Sequence, residues 1–140
     1  MRPGRRSCRR RMARILVVED TPANMKLMLL ILATAGHSAL QAATGRDAIA
    51  VALAEKPDLI LMDVQLPDMD GLSAARELKA LAATRHIPIV AVTAMAMRGD
   101  RERILAAGCD GYVEKPIDYR KLLDDIARRI QAGGADRTVP

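Results

Sequence analysis

Three stretches of this chain are apolar almost without a break: RILVVED at 14–20, DLILMD at 58–63 and IPIVAVTA at 87–94. A strand with one wet face alternates apolar and polar residues, so runs of this kind require burial on both faces. SALQAA at 38–43 is a weaker candidate strand, and DGYVEK at 110–115 is a fifth. Between and after them lie segments of helical length at 22–36, 45–56, 71–83, 98–108 and 118–131. Pro22 and Gly36 bracket the first, Gly108 ends the fourth, and Asp118 is placed to cap the last. Five strands alternating with five helices predict an α/β fold, a parallel sheet with helices on both sides joined by right-handed crossovers. In such sheets the functional site lies beyond the carboxyl ends of the strands, where the strand order reverses.

At 140 residues, half of them hydrophobic, the chain has enough apolar surface for one core. It has no Phe and no Trp, so the core is expected to be Leu, Ile, Val, Ala and Met, and a buried tyrosine would be an exception. The net charge of +5 is unevenly spread. Residues 1–14 hold seven arginines and no acid, which leaves 15 basic and 17 acidic residues, a net of −2, for the rest. Residues 1–12 are expected to be a basic, disordered, solvated extension, or an overlong start upstream of Met12. The domain itself is expected over 13–131, with a frayed tail at 132–140. An arginine tail without aromatic or helix-turn-helix support would give only salt-sensitive, non-specific nucleic-acid binding. No stretch has signal-peptide or membrane-span character. Cys8 and Cys109 match no zinc or redox spacing, which suggests reduced thiols in a cytoplasmic protein.

The chemistry sits at the strand ends. Glu19 and Asp20 come directly after the first strand, Asp63 ends the third, Thr93 ends the fourth, and Lys115 with Pro116 ends the fifth. Singly, each has a plain explanation: Asp20 as a helix cap, Thr93 as a strand residue, Lys115 as a surface lysine. Together they bring three carboxylates, a hydroxyl and an ammonium to one edge of one sheet. Three close carboxylates repel one another unless a cation joins them. Hard oxygen donors in this number suit Mg²⁺, which bridges readily to phosphate oxygens. One carboxylate can then act as a nucleophile toward phosphorus, giving an aspartyl phosphate. Mg²⁺, Lys115 and the Thr93 hydroxyl could together neutralise the transferring group.

The motifs VVED, LILMDVQLPDMDG, IVAVTA and GYVEKPI, in that order, resemble the receiver domain of bacterial two-component response regulators. The resemblance runs from about Ala13 to Gln131. It implies a flavodoxin-like, doubly wound sheet of order 2-1-3-4-5. It implies that Asp63 is the phosphoacceptor and that Glu19 and Asp20 hold Mg²⁺, with the backbone carbonyl of Gln65 as a further ligand. It makes Thr93 the switch hydroxyl, Lys115 the cation on the phosphate and the Lys115–Pro116 bond cis. Tyr112 becomes the switch aromatic, and Pro67 and Gly71 belong to the loop after the acceptor. Gln65 and Met95, two residues past the acceptor and the switch threonine, become the positions that tune the phosphoryl lifetime. NMKL, AVTAMAMRGDRERI and AGCDGYVEKPI resemble more narrowly the single-domain regulators of cell division and polar differentiation in alphaproteobacteria. Met95 departs from that subfamily, which usually has an aromatic there.

The expected function is therefore a phosphorylation switch. It accepts a phosphoryl group on Asp63 from a sensor histidine kinase or a histidine phosphotransfer protein, and signals to a downstream protein target by contact. It would catalyse only its own phosphorylation and dephosphorylation, with no specific nucleic acid and no membrane insertion, as a monomer or weak dimer. Two alternatives compete with it. A haloacid-dehalogenase-type phosphatase needs a second aspartate two residues past the first, where this chain has Gln65. A degenerate receiver that binds partners without phosphate would not need a full set of competent site residues. A histidine phosphotransfer module is disfavoured because His37 and His86 fall in loops.

Overall fold

The computed structural model describes residues 12–94 and 98–138. Its strands are β1 (Arg14–Val18), β2 (Ser38–Ala42), β3 (Leu59–Asp63), β4 (Ile89–Thr93) and β5 (Gly111–Glu114). Its helices are α1 (Pro22–Thr34), α2 (Gly45–Glu55), α3 (Gly71–Ala80), α4 (Arg98–Ala106) and α5 (Tyr119–Thr138). The strands pair in parallel in the order β2-β1-β3-β4-β5, the doubly wound arrangement expected.

The two-residue period of a strand sorts the apolar runs between the two faces. Leu16, Val18, Ile60, Met62, Ile89 and Ala91 pack with α2, α3 and α4 on one side. Ile15, Val17, Leu59, Leu61, Val90 and Val92 pack with α1 and α5 on the other. Every residue of β3 and β4 is buried, as unbroken apolar runs require. Each fully buried Leu or Ile there contributes about 1.5–3 kcal/mol relative to exposure. That makes β3 a stiff rod, and its last residue is Asp63.

Helix ends obey local chemistry. Thr44 caps α2, its side chain accepting from the Asp47 N–H, and Asp70 caps α3 by accepting from the Leu72 N–H. Asp118 caps α5, accepting from the Arg120 and Lys121 N–H groups at 3.1 and 3.3 Å. Gly36 and Gly108, at φ of 82° and 97°, close α1 and α4 with paired back-bonds. Two boundaries differ from the expected ones by more than two residues. The α3 helix stops at Ala80 rather than 83, because the buried Thr84 hydroxyl donates to the Leu78 carbonyl and draws the chain into a turn. At the other end of the chain, α5 runs to Thr138, through most of the segment expected to fray. Once a helix is nucleated each further residue adds a hydrogen bond at little cost, and two glycines at about 1 kcal/mol each did not end it.

Gly71 is needed where it stands. A Cβ there would run into the Asp63 carbonyl oxygen and the Val64 Cα, while the Gly71 N–H donates to the Val64 carbonyl at 2.8 Å. This close return folds the loop after β3 back against the strand that carries Asp63.

Candidate functional site

At the carboxyl edge of the sheet, residues from three strand ends converge. Glu19 follows β1, Asp63 ends β3, and Lys115 follows β5, with its N–H donating to the Thr93 carbonyl at the end of β4. Asp63 is 5% exposed and Glu19 6%, so two carboxylates sit almost out of water. Each oxygen of Asp63 is placed: Oδ1 accepts from the Gln65 N–H at 3.0 Å, and Oδ2 lies 3.4 Å from Lys115 Nζ. The same ammonium is 3.8 Å from Glu19 Oε1, while Glu19 Oε2 accepts from the Thr21 N–H at 3.1 Å. The Lys115–Pro116 peptide bond is cis.

Burial, first of all, pushes the Asp63 carboxyl above the ordinary carboxylate range. The Gln65 N–H opposes that shift, the Glu19 charge adds to it, and the Lys115 ammonium opposes it. One lysine does not offset two buried carboxylates and a third beside them. Glu19, Asp20 and Asp63 each bring an oxygen within 4.8 Å of the others. The donors are all hard oxygens, two of them buried and one exposed, which fits a divalent cation that keeps part of its water shell. Asp20 does not cap α1. The N-cap is Thr21, one residue on, and it makes no side-chain cap bond. The acid after β1 therefore faces the other two carboxylates rather than serving the helix.

A cleft of about 510 Å³ opens from Asp63 and Gln65 past Thr93 and Lys115 to Asp100 and Arg103 on α4. Thr93 is buried at 7% exposure, on the side of the sheet that faces α4. Tyr112, half-buried on the same side, accepts a hydrogen bond from Arg101 Nε at 2.9 Å, with the guanidinium 5.8 Å from the ring centre. Glu19, Asp20, Asp63, Thr93 and Lys115 are thus brought together, with the Gln65 peptide at their edge, while Tyr112 stands on β5 opposite Ala91, two residues before Thr93 along the sheet. Met95 lies outside the described residues, as does the basic extension up to residue 11.

Residues 15–127 match the response regulator receiver domain. The chain belongs to the response regulator receiver family. The polar-differentiation response regulators DivK of Brucella anthropi and Brucella ovis are each 42% identical to it over 112 residues, 80% of this chain and 91% of theirs. The receiver domain of a sensor histidine kinase from Pseudomonas aeruginosa, solved with magnesium coordinated in its active-site cleft, is 39% identical. It superposes with a TM-score of 0.81 over 86% of this chain and 99% of that one. A CheY-like receiver from Methanospirillum hungatei is 29% identical, with a TM-score of 0.82 over 90% and 99% of the two chains. This receiver is thus part of two-component signalling, and its acidic cluster fits a Mg²⁺ site and a phosphorylatable aspartate. No helix among the described residues is long and apolar enough to cross a membrane.

Several residues of this receiver's site carry little or no signal in the sequence. Arg101 and Arg103 belong to a helix whose sequence shows only dense charge, though the i,i+3 spacing of Asp100 and Arg103 marks an ion pair on one face. Asp68 carries no local signal at all. Its carboxylate accepts from the Gly45 and Arg46 N–H groups at 2.7 and 3.0 Å, pinning the loop after Asp63 to the start of α2.

Proposed function

We propose that this receiver is a phosphorylation switch that takes a phosphoryl group on Asp63 and passes the signal on by protein–protein contact. The observation that carries the reading is the Asp63 carboxylate itself, held at the end of a rigid buried strand with one oxygen on the Gln65 N–H and the other facing Lys115. A nucleophile fixed this way approaches phosphorus in one orientation, which is most of what phosphoryl transfer asks of a protein. The donor is a phosphorylated histidine of a sensor kinase or a phosphotransfer protein. An Asp63 oxygen attacks phosphorus, the N–P bond breaks, and the imidazole leaves with the electron pair and takes up a proton. The Lys115 ammonium stays beside the charged oxygens, and the Thr93 hydroxyl hydrogen-bonds the new group. Glu19, Asp20, Asp63 and the Gln65 carbonyl would hold Mg²⁺, which when bound neutralises the clustered carboxylates and draws charge from the phosphoryl oxygens.

Reversal is hydrolysis: water attacks phosphorus and Asp63 returns as a carboxylate. Gln65 and Met95 are the positions expected to govern that water's approach, and Met95, bulky and apolar, cannot orient it. Output comes from Thr93 moving toward the phosphoryl group and Tyr112 turning into the space behind it. The receiver acts on no other substrate in this reading. The experiment is phosphorylation with acetyl phosphate and Mg²⁺, read by intact mass. The wild-type chain gains one phosphoryl group, and Asp63→Asn or chelation prevents it. Equal labelling of both chains refutes the assignment.

A further inference from the structure

We propose that Arg103 is a second cation for the phosphoryl group, held in reserve by two aspartates until Asp63 is phosphorylated. This rests on the reading of Asp63 as acceptor. The guanidinium of Arg103 is shared between two elements. Its Nη1 lies 3.1 Å from Asp100 Oδ1 on its own helix, and its Nη2 lies 3.7 Å from Asp70 Oδ2, on the cap of α3. Arg103 lines the same 510 Å³ cleft as Asp63 and Lys115.

The charges lining that cleft explain why it would exchange partners. The acids are Asp63, Asp70 and Asp100, and the cations are Lys115 and Arg103. Phosphorylation replaces the Asp63 charge with about −1.5 to −2 and adds three strong acceptor oxygens. The present partners hold Arg103 loosely. Its side chain is 57% exposed, the Asp70 contact is near the outer limit of an ion pair, and exposed pairs are weak. The other oxygen of Asp70 already accepts from the Leu72 N–H, so Asp70 cannot follow the arginine. Arginine also matches phosphate with two parallel donors, a geometry a lysine cannot supply. Arg103 sits in the last turn of α4, so a pull on its guanidinium is a pull on the helix. The same residue would thus stabilise the phosphorylated form and carry its charge into α4.

The test is calorimetric titration of the full chain with Mg²⁺ and beryllofluoride, a phosphoryl mimic, comparing wild type with Arg103→Gln, Arg103→Lys and Asp100→Asn. A single charge-assisted contact at a half-exposed position predicts about three- to tenfold weaker binding for Arg103→Gln. Arg103→Lys should recover part of the loss, and the gap should narrow as salt rises to about 1 M. Asp100→Asn should bind more tightly, because it releases the arginine. If Arg103 only straps α4 to the loop, Arg103→Gln loosens the helix and binds as well as or better than wild type, which overturns the proposal. Weaker or unchanged binding by Asp100→Asn also overturns it. Asp63→Asn serves as the control for the acceptor: binding that survives it contradicts the underlying reading, whatever Arg103 does.

Discussion

Removing the exposed acid of the carboxylate cluster should make the metal-free protein more stable while abolishing most of its response to Mg²⁺. Asp20 contributes one oxygen within 4.8 Å of oxygens from Glu19 and Asp63. At that separation Coulomb repulsion is about 1 kcal/mol per pair in water and about 3.5 kcal/mol at an effective dielectric constant of about 20. Asp20 is exposed, so the lower figure applies more closely. Relief of two such pairs in Asp20→Asn is then worth about 1–2 kcal/mol at low salt. No helix cap is lost in return, because the N-cap position of α1 is Thr21, not Asp20. Bound Mg²⁺ stabilises the folded state in proportion to the logarithm of its concentration over its dissociation constant. Loss of a ligand carboxylate should weaken that constant by at least about tenfold, near 1.4 kcal/mol. The two chains should therefore cross: Asp20→Asn is the more stable without metal, and the wild type gains more as Mg²⁺ is added. Urea unfolding at pH 7, with chelator and then across a Mg²⁺ series, reads both effects. A metal-free Asp20→Asn chain less stable than wild type would refute this reasoning, since it would show Asp20 serving the fold.

Two further outcomes are expected from other parts of the site. Backbone N–H bonds, from Gly45 first, hold the Asp68 carboxyl below its ordinary value of 3.8. A depressed folded pKa means that the stabilisation is complete above that ordinary value and is lost as pH falls through the lower folded one. Asp68→Asn should therefore flatten the acid limb of the stability curve, and an unchanged limb would exclude Asp68 as its source. Beryllofluoride should also change hydrogen exchange across residues 94–113, beyond the loops touching Asp63. The Arg101–Tyr112 bond at 2.9 Å ties the aromatic ring to α4, so the two should respond together, and Arg101→Ala should raise exchange there before any ligand is added. Changes confined to the loops and α1 would show that partners sense the phosphoryl group at the site itself.

Much of this is legible in the chain because burial on both faces leaves a distinctive record. The runs at 59–62 and 89–92 read as strands buried on both faces, and their polar endings mark the edge where the candidate site lies. Glu19, Asp63 and Thr93 can be found because each follows or ends an apolar run, where a charge or a hydroxyl needs a reason, and Lys115 because it follows the last strand at the same edge. The contacts of Arg101, Arg103 and Asp68 cannot be found that way. They lie in polar segments, where one more charge is ordinary, and their partners stand 11, 33 and 22 to 23 residues away. The end of α5 is hidden for a different reason. Two adjacent glycines signal a stop in a short helix, but they only lower the stability of one already propagating from a packed stem that includes Leu122, Ile126 and Ile130. The α3 boundary turns on one buried hydroxyl, Thr84, whose partner at Leu78 only the folded chain reveals.

The phosphoryl group is predicted to reside on Asp63. Borohydride reduction of the phosphorylated chain converts an aspartyl phosphate to homoserine, and peptide mass spectrometry then locates it. A single homoserine at position 63 is predicted, dependent on Mg²⁺ and absent from Asp63→Asn. Homoserine at Asp20 or any other aspartate in the wild-type chain, the one-carbon-longer alcohol at Glu19, or no reduced residue at all while the intact mass still shows a phosphoryl group, would contradict it.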